Sequence, residues 1–118
     1  MNWTVLEGTA DLHALEAASG DRGFLVLKHS TRCPVSSQAA LSLQRWEAPA
    51  DTPPLFLVYV VEDRSLSLAM ADRWEVRHES PQLLWWLNGK IQHHTSHFEV
   101  RGTTISAWMD QTIAPNLG

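Results

Sequence analysis

The chain nearly lacks cysteine: among its 118 residues only Cys33 carries a thiol. One cysteine closes no internal disulfide, so the core alone must hold the fold, and a reducing, cytoplasmic compartment is expected. Long hydrophobic runs are also missing. The longest, "LFLVYVV" at 55–61, is far short of the ~20 residues of a membrane-spanning helix, and no membrane association is expected. The opening "MNWTVLEGTADLH" has neither the basic start nor the apolar core of a secretory signal. Positive charge is scarce. Nine Lys and Arg stand against thirteen Asp and Glu, for a net charge of −4. No basic stripe favours nucleic acid. There is no Gly-rich phosphate loop, no repeat and no low-complexity tract. What is present, 44% hydrophobic and 19% charged residues, suits one compact domain over 1–118, expected as a monomer.

Hydrophobic patterning predicts the order α-β-α-β-α-β-β-α. Residues 9–20 read as a helix capped by Thr9 or Asp11 and stopped at Gly20, with Leu12, Leu15 and Ala18 near one face. "GFLVLKH" (23–29) and "LFLVYVVE" (55–62) are apolar runs of strand length, predicted to be buried on both faces. A helix starts at Pro34, a residue suited to the first helical position. Its Val35, Ala39, Leu43 and Trp46 recur at helical spacing. A third helix follows Asp63, its expected cap, with Leu66, Ala69, Met70 and Trp74 facing inward. Two strand-like pieces flank Asn88-Gly89, the strongest short hairpin signal. A closing helix shows an apolar face of Ile105, Trp108, Met109 and Ile113. Buried strands alternating with helices predict parallel β-α-β pairing with right-handed crossovers, and the hairpin adds an antiparallel edge. The expected architecture is α/β: a thioredoxin-like fold with a four-stranded mixed sheet and helices on both faces.

This order puts Cys33 at the N-terminus of the second helix, past the carboxyl end of the first strand, where open α/β sheets gather reactive groups. The first helical turn has free N–H groups and the positive end of the helix dipole. Pro34 offers no N–H, but the amides of Val35 and Ser36 can point at the sulfur, and both effects favour thiolate. Lys28 and Arg32 are expected to add positive charge. The flanking Ser30, Thr31, Arg32, Ser36 and Ser37 argue against an inert buried thiol. In dithiol oxidoreductases the second cysteine of C-x-x-C resolves the mixed disulfide. Here the motif is C-P-V-S. Serine cannot perform that step, so an outside thiol must. Downstream, Pro81 in "RHESPQLLWW" precedes a strand. In a thioredoxin-like fold this proline is expected to be cis and to face the cysteine, with the Ser80 backbone turned outward to pair with an extended substrate.

The segments "HSTRCPVS", "VYVVEDRSLSLAMA" and "VRHESPQLLWWLNGKIQHHTSHFEV" resemble the monothiol bacilliredoxins, thioredoxin-like proteins of the bacillithiol system. The resemblance runs from about Gly23 to Ala107. Bacillithiol is a small thiol built from cysteine, glucosamine and malate. The resemblance implies an oxidoreductase that removes bacillithiol from S-bacillithiolated proteins, with Cys33 as nucleophile, Ser36 at the family's non-cysteine position and Pro81 as its cis-proline. Bacillithiol would be the co-substrate, with no metal. The implied substrate-binding set is Thr31, Arg32, Pro34, Val35, Ser36, Arg77, Ser80 and Pro81, with Arg32 and Arg77 as cations for the malate carboxylates. Arg32 fills a variable slot, and six tryptophans are many for the family.

Two other functions are weighed beside this one. An iron–sulfur carrier of the monothiol glutaredoxin type would use one thiol from each of two protomers; those proteins carry C-G-F-S, and Pro34 argues against it. A redox-silent binding module would keep the fold without a reactive thiol. "HHTSH" (93–97) suggests metal, but alternation along a strand puts His94 opposite His93 and His97, and two histidines make a weak site.

Overall fold

The computed structural model describes the backbone of residues 1–117 and the side chains of residues 1–112. Along the chain run β1 (Trp3–Val5), α1 (Leu12–Ala17), β2 (Phe24–His29), α2 (Pro34–Arg45), β3 (Leu55–Tyr59), α3 (Arg64–Trp74), β4 (Gln82–Leu87), β5 (Lys90–Ser96), a short 3-10 turn (His97–Glu99) and α4 (Gly102–Leu117).

Runs of apolar residues without polar alternation form strands covered on both sides, and the central pair obeys this. Every residue of β2 and β4 is buried. The two pair antiparallel, with Leu25 opposite Trp85 and Lys28 opposite Gln82. β3 lies parallel to β2 on its other edge, and β1 parallel to β3. β5 returns along β4 through Asn88 and Gly89, both at positive φ, as the Asn-Gly signal predicts. The sheet therefore has five strands in the order β1-β3-β2-β4-β5, not four. The strand missed in the sequence, β1, is three residues long, and its Thr4 and Val5 are exposed. Its order comes from backbone pairing to β3, which leaves no hydrophobic pattern.

Alternation along β2 divides the core. Leu25 and Leu27 face α2 and α4, packing with Ala39, Leu43, Ile105 and Trp108. Phe24 and Val26 face α1 and α3, packing with Leu12, Leu66, Met70 and Trp74. Phe24 stacks on Trp86 at a ring separation of 5.2 Å. Close strand contact here requires glycine at position 23, where φ is +66 and a Cβ would meet the Trp86 carbonyl oxygen at 1.9 Å. Burial of Trp74, Trp85, Trp86 and Trp108 accounts for four of the six tryptophans as core.

Other boundaries shift. The Asp11 carboxylate caps α1 by accepting from the Ala14 N–H at 3.1 Å, and this helix ends at Ala17, before Gly20. Its Ala18 is exposed. Asp63 occupies the cap position of α3 but makes no side-chain capping bond. In α3 the buried stripe is Leu66, Met70 and Trp74 with Ser67 beside it, while Ala69 is exposed. Ile113 lies outside the described side chains.

Candidate active site

The carboxyl end of β2 runs into a tight turn, with the Cys33 N–H donating to the Ser30 carbonyl at 3.2 Å. Cys33 is the N-cap of α2, in extended backbone geometry, and Pro34 takes the first helical position. Proline fits there because that N–H has no intrahelical acceptor. The Cys33 carbonyl accepts the first helical bond, from Ser37 N–H at 3.0 Å. The half-buried thiol makes no capping hydrogen bond. The first-turn amides are thus not hydrogen-bonded to the sulfur. Thr31, Arg32 and Pro34 beside it are exposed, and Val35 is half-buried.

Ser36 is 0% exposed. Its hydroxyl accepts from the Ser30 N–H at 2.9 Å and pairs with His29 Nδ1 at 2.7 Å. In the place of a resolving thiol, Ser36 therefore ties the end of β2 to the first turn of α2. Burial lowers the pKa of His29, against the opposing pull of Glu62 and the Ser36 contact. Burial thus disfavours the charged ring.

The second wall lies one strand over. Lys28 pairs with Gln82, and the antiparallel register carried one step further sets Pro81 opposite His29, beside the turn that holds Cys33. The Ser80–Pro81 bond is cis, as expected. The Pro81 carbonyl accepts from the His97 N–H at 3.0 Å, and the Arg77 carbonyl accepts from Gln82 Nε2 at 2.8 Å. Ser80 is half-buried and Arg77 exposed. The structure thus brings Ser80 and Pro81 alongside the Cys33 turn and leaves the Arg32 and Arg77 side chains in solvent.

Lys28 does not join them. Strand alternation aims it away from α2 and into the layer beneath α3, correcting the expectation that it adds charge near the sulfur. It is 0% exposed. Its Nζ donates to the Ser67 carbonyl at 2.8 Å and lies 3.5 Å from His78 Nδ1, which Ser67 Oγ also reaches at 3.1 Å. Burial brings the Lys28 amine down to about 8. The pKa of His78 is lowered, first by burial and then by the positive charges of Lys28 and Arg64. Beside them, Gln82 is 1% exposed, and its Oε1 has no hydrogen-bond partner among the described residues; Ser80 Oγ is likewise buried and unpartnered. Ser67, His78 and Gln82 are the site-adjacent residues that sequence reasoning missed, and Lys28 is the one it set on the wrong face. The signal available was a lysine inside an otherwise apolar strand.

A groove of about 150 Å³ runs beside the thiol helix, lined by Val35, Gln38, Ala39, Ser42, His97, Phe98, Val100 and Arg101. Phe98 at its rim is 75% exposed. A cavity of about 340 Å³, lined in part by Arg22, Trp85 and Asn88, opens at the opposite end of the sheet and takes no part in this site. "HHTSH" resolves into separate environments. His93 is stacked between Trp85 and Trp108 and lies 2.8 Å from Thr112 Oγ1. His94 and His97 are exposed. Among the described residues no three His, Cys, Asp or Glu side chains gather as a metal site, and no helix is long and apolar enough to cross a membrane.

Solved structures share this architecture. A candidate oxidoreductase with a thioredoxin fold is 25% identical, with a TM-score of 0.73 over 88% of this chain and 90% of that one. Malassezia sympodialis thioredoxin is 14% identical, with a TM-score of 0.69 over 93% of this chain and 90% of its own. Fasciola hepatica thioredoxin is 18% identical, with a TM-score of 0.68 over 92% and 97%. The fold is therefore thioredoxin-like. The family model for the monothiol bacilliredoxin BrxC matches residues 4–105. A lone thiol capping a helix, serine three residues on and a proline wall beside it are the parts of a thiol redox site, and the chain belongs to the monothiol bacilliredoxin family.

Proposed function

We propose that this chain removes bacillithiol from S-bacillithiolated proteins by monothiol exchange at Cys33, as a cytoplasmic monomer. The observation that carries the reading is the pairing of a lone, half-buried thiol at the N-cap of α2 with a buried serine where a resolving thiol would stand, in a chain of this family.

The Cys33 thiolate attacks the bacillithiol sulfur of the mixed disulfide. The old S–S bond breaks, and the client thiolate leaves and takes a proton from water. A new S–S bond joins Cys33 to bacillithiol. Ser36 has no sulfur with which to attack it, and its hydroxyl is engaged by Ser30 and His29. The thiolate of a second bacillithiol therefore attacks the bound bacillithiol sulfur, returning Cys33 as thiolate and releasing bacillithiol disulfide. Thr31, Pro34 and Val35 frame the thiol. The backbone of Ser80 and Pro81 receives the client as an added strand, and Arg32 and Arg77 hold the malate carboxylates.

The test mixes a model bacillithiolated protein and free bacillithiol with wild type or Cys33→Ser, and follows release by mass spectrometry. Wild type accelerates release and passes through a Cys33–bacillithiol adduct, while the variant stays at background. Equal rates for the two proteins sink the proposal.

A further inference from the structure

We infer that Lys28 is a positioning residue for the Ser80–Pro81 wall of the site, acting through His78. The inference rests on the functional reading above, in which that wall receives the client. An ammonium group buried without a carboxylate is costly, and an apolar side chain of similar length would serve packing better. Lys28 has no acidic partner among the described residues. It reaches the Ser67 carbonyl on α3 and approaches His78 Nδ1, the same nitrogen that Ser67 Oγ approaches. A protonated lysine can only donate. The contact favours His78 Nδ1 as the acceptor, which corresponds to the Nε2–H tautomer of the ring.

His78 opens the segment that ends in Ser80 and Pro81. That segment is held by polar contacts at separate points. Gln82 holds the Arg77 carbonyl, and the His97 N–H holds the Pro81 carbonyl from the β5 side. Lys28 and Ser67 hold His78 from the α3 side. Two buried oxygens in the same place, Ser80 Oγ and Gln82 Oε1, have no partner among the described residues. Removing Lys28 leaves Ser67 Oγ as the α3-side contact to His78, weakens that tie and lets the wall shift against Cys33, which follows β2 by four residues. A misplacement of about 1 Å in a reacting arrangement costs up to ~100-fold, so a partial loss of alignment is expected to cost on the order of tenfold.

Exchange kinetics with a bacillithiolated peptide, run on full-length Lys28→Met, His78→Phe and His78→Gln, test this. Lys28→Met is expected to raise KM for the peptide about tenfold and to change kcat by less than about twofold. Its melting temperature is expected to be equal to or above that of wild type, because a buried charge has gone. His78→Phe is expected to show the same KM defect, and His78→Gln, which keeps an acceptor, to recover most of it. Alkylation of Cys33 by iodoacetamide, which needs no wall, is expected to proceed at the wild-type rate in all three. An unchanged KM in the folded variants overturns the inference, as does alkylation that slows in step with exchange. Should Lys28→Met fail to fold, the two His78 variants decide. Exchange retained by Cys33→Ser removes the functional reading itself; exchange lost there but unchanged in Lys28→Met removes only this inference.

Discussion

Lys28 and His29 are adjacent in β2, both basic and both buried, yet they serve opposite layers of the molecule. His29 faces α2 and ties the thiol helix to the strand through Ser36. Lys28 faces α3 and reaches toward the proline wall through His78. The difference lies in what burial demands of each. An imidazole can give up its proton near neutrality and sit buried as a neutral hydrogen-bonding ring. An amine resists, and stays protonated up to about 8 in the folded chain. One neighbour is thus a low-cost structural tie, while the other holds a buried charge that packing does not explain.

The largest expected effect follows from that charge. An unfolded lysine keeps its proton up to about 10.4, while the folded one loses it near 8. Between these values the unfolded chain binds more protons, so stability rises with pH across that window and the full penalty is present below it. The rise is expected to reach about 3 kcal/mol. Urea unfolding at pH 7.5 and pH 10 measures it. A rise in wild type that vanishes in Lys28→Met sharpens the contrast; a flat wild-type profile breaks it.

On the His29 side the expected effect is smaller and does not depend on charge. Ser36→Ala removes the acceptor of the Ser30 N–H and the partner of His29. Two buried groups are left unsatisfied, at a cost of about 1–3 kcal/mol. Denaturant titration at pH 7 reads this directly, and a cost near zero would show that the tie is not structural.

The smallest expected effect is acid sensitivity of the imidazoles. Burial lowers the pKa of His29, His78 and His93. As pH falls through the ordinary histidine range near 6.5, the unfolded chain takes up protons first and stability declines. Lys28 and His29 are therefore expected to act in separate windows with a level stretch between. Unfolding midpoints at pH 7 and 5.5 test this for wild type and His29→Gln, whose decline is expected to be shallower. Equal slopes would remove His29 from the account.

Much of this was legible in the chain. The apolar runs at 23–29 and 55–62, Asn88-Gly89, Pro34 and Asp11 each carry a local physical signal, and each marks an element, with the strands ending at His29 and Tyr59. The expected thioredoxin-like fold supplied the pairing of Cys33 with Pro81. β1 was not legible, because backbone pairing to β3 orders three residues without any side-chain periodicity. Ser67 was hidden for a related reason: in α3 a serine beside the apolar stripe is buried because Lys28 comes up from the sheet beneath it.

By itself the sequence determined that there is one thiol, that a serine stands three residues after it, and hence that any disulfide on Cys33 must be resolved from outside. The tertiary structure alone decided which buried basic residue ties to the thiol helix and which lies beneath α3. A strand covered on both sides has no polar alternation to show its faces. The aim of each side chain is set by register against β3 and β4 and by the helices that close over them.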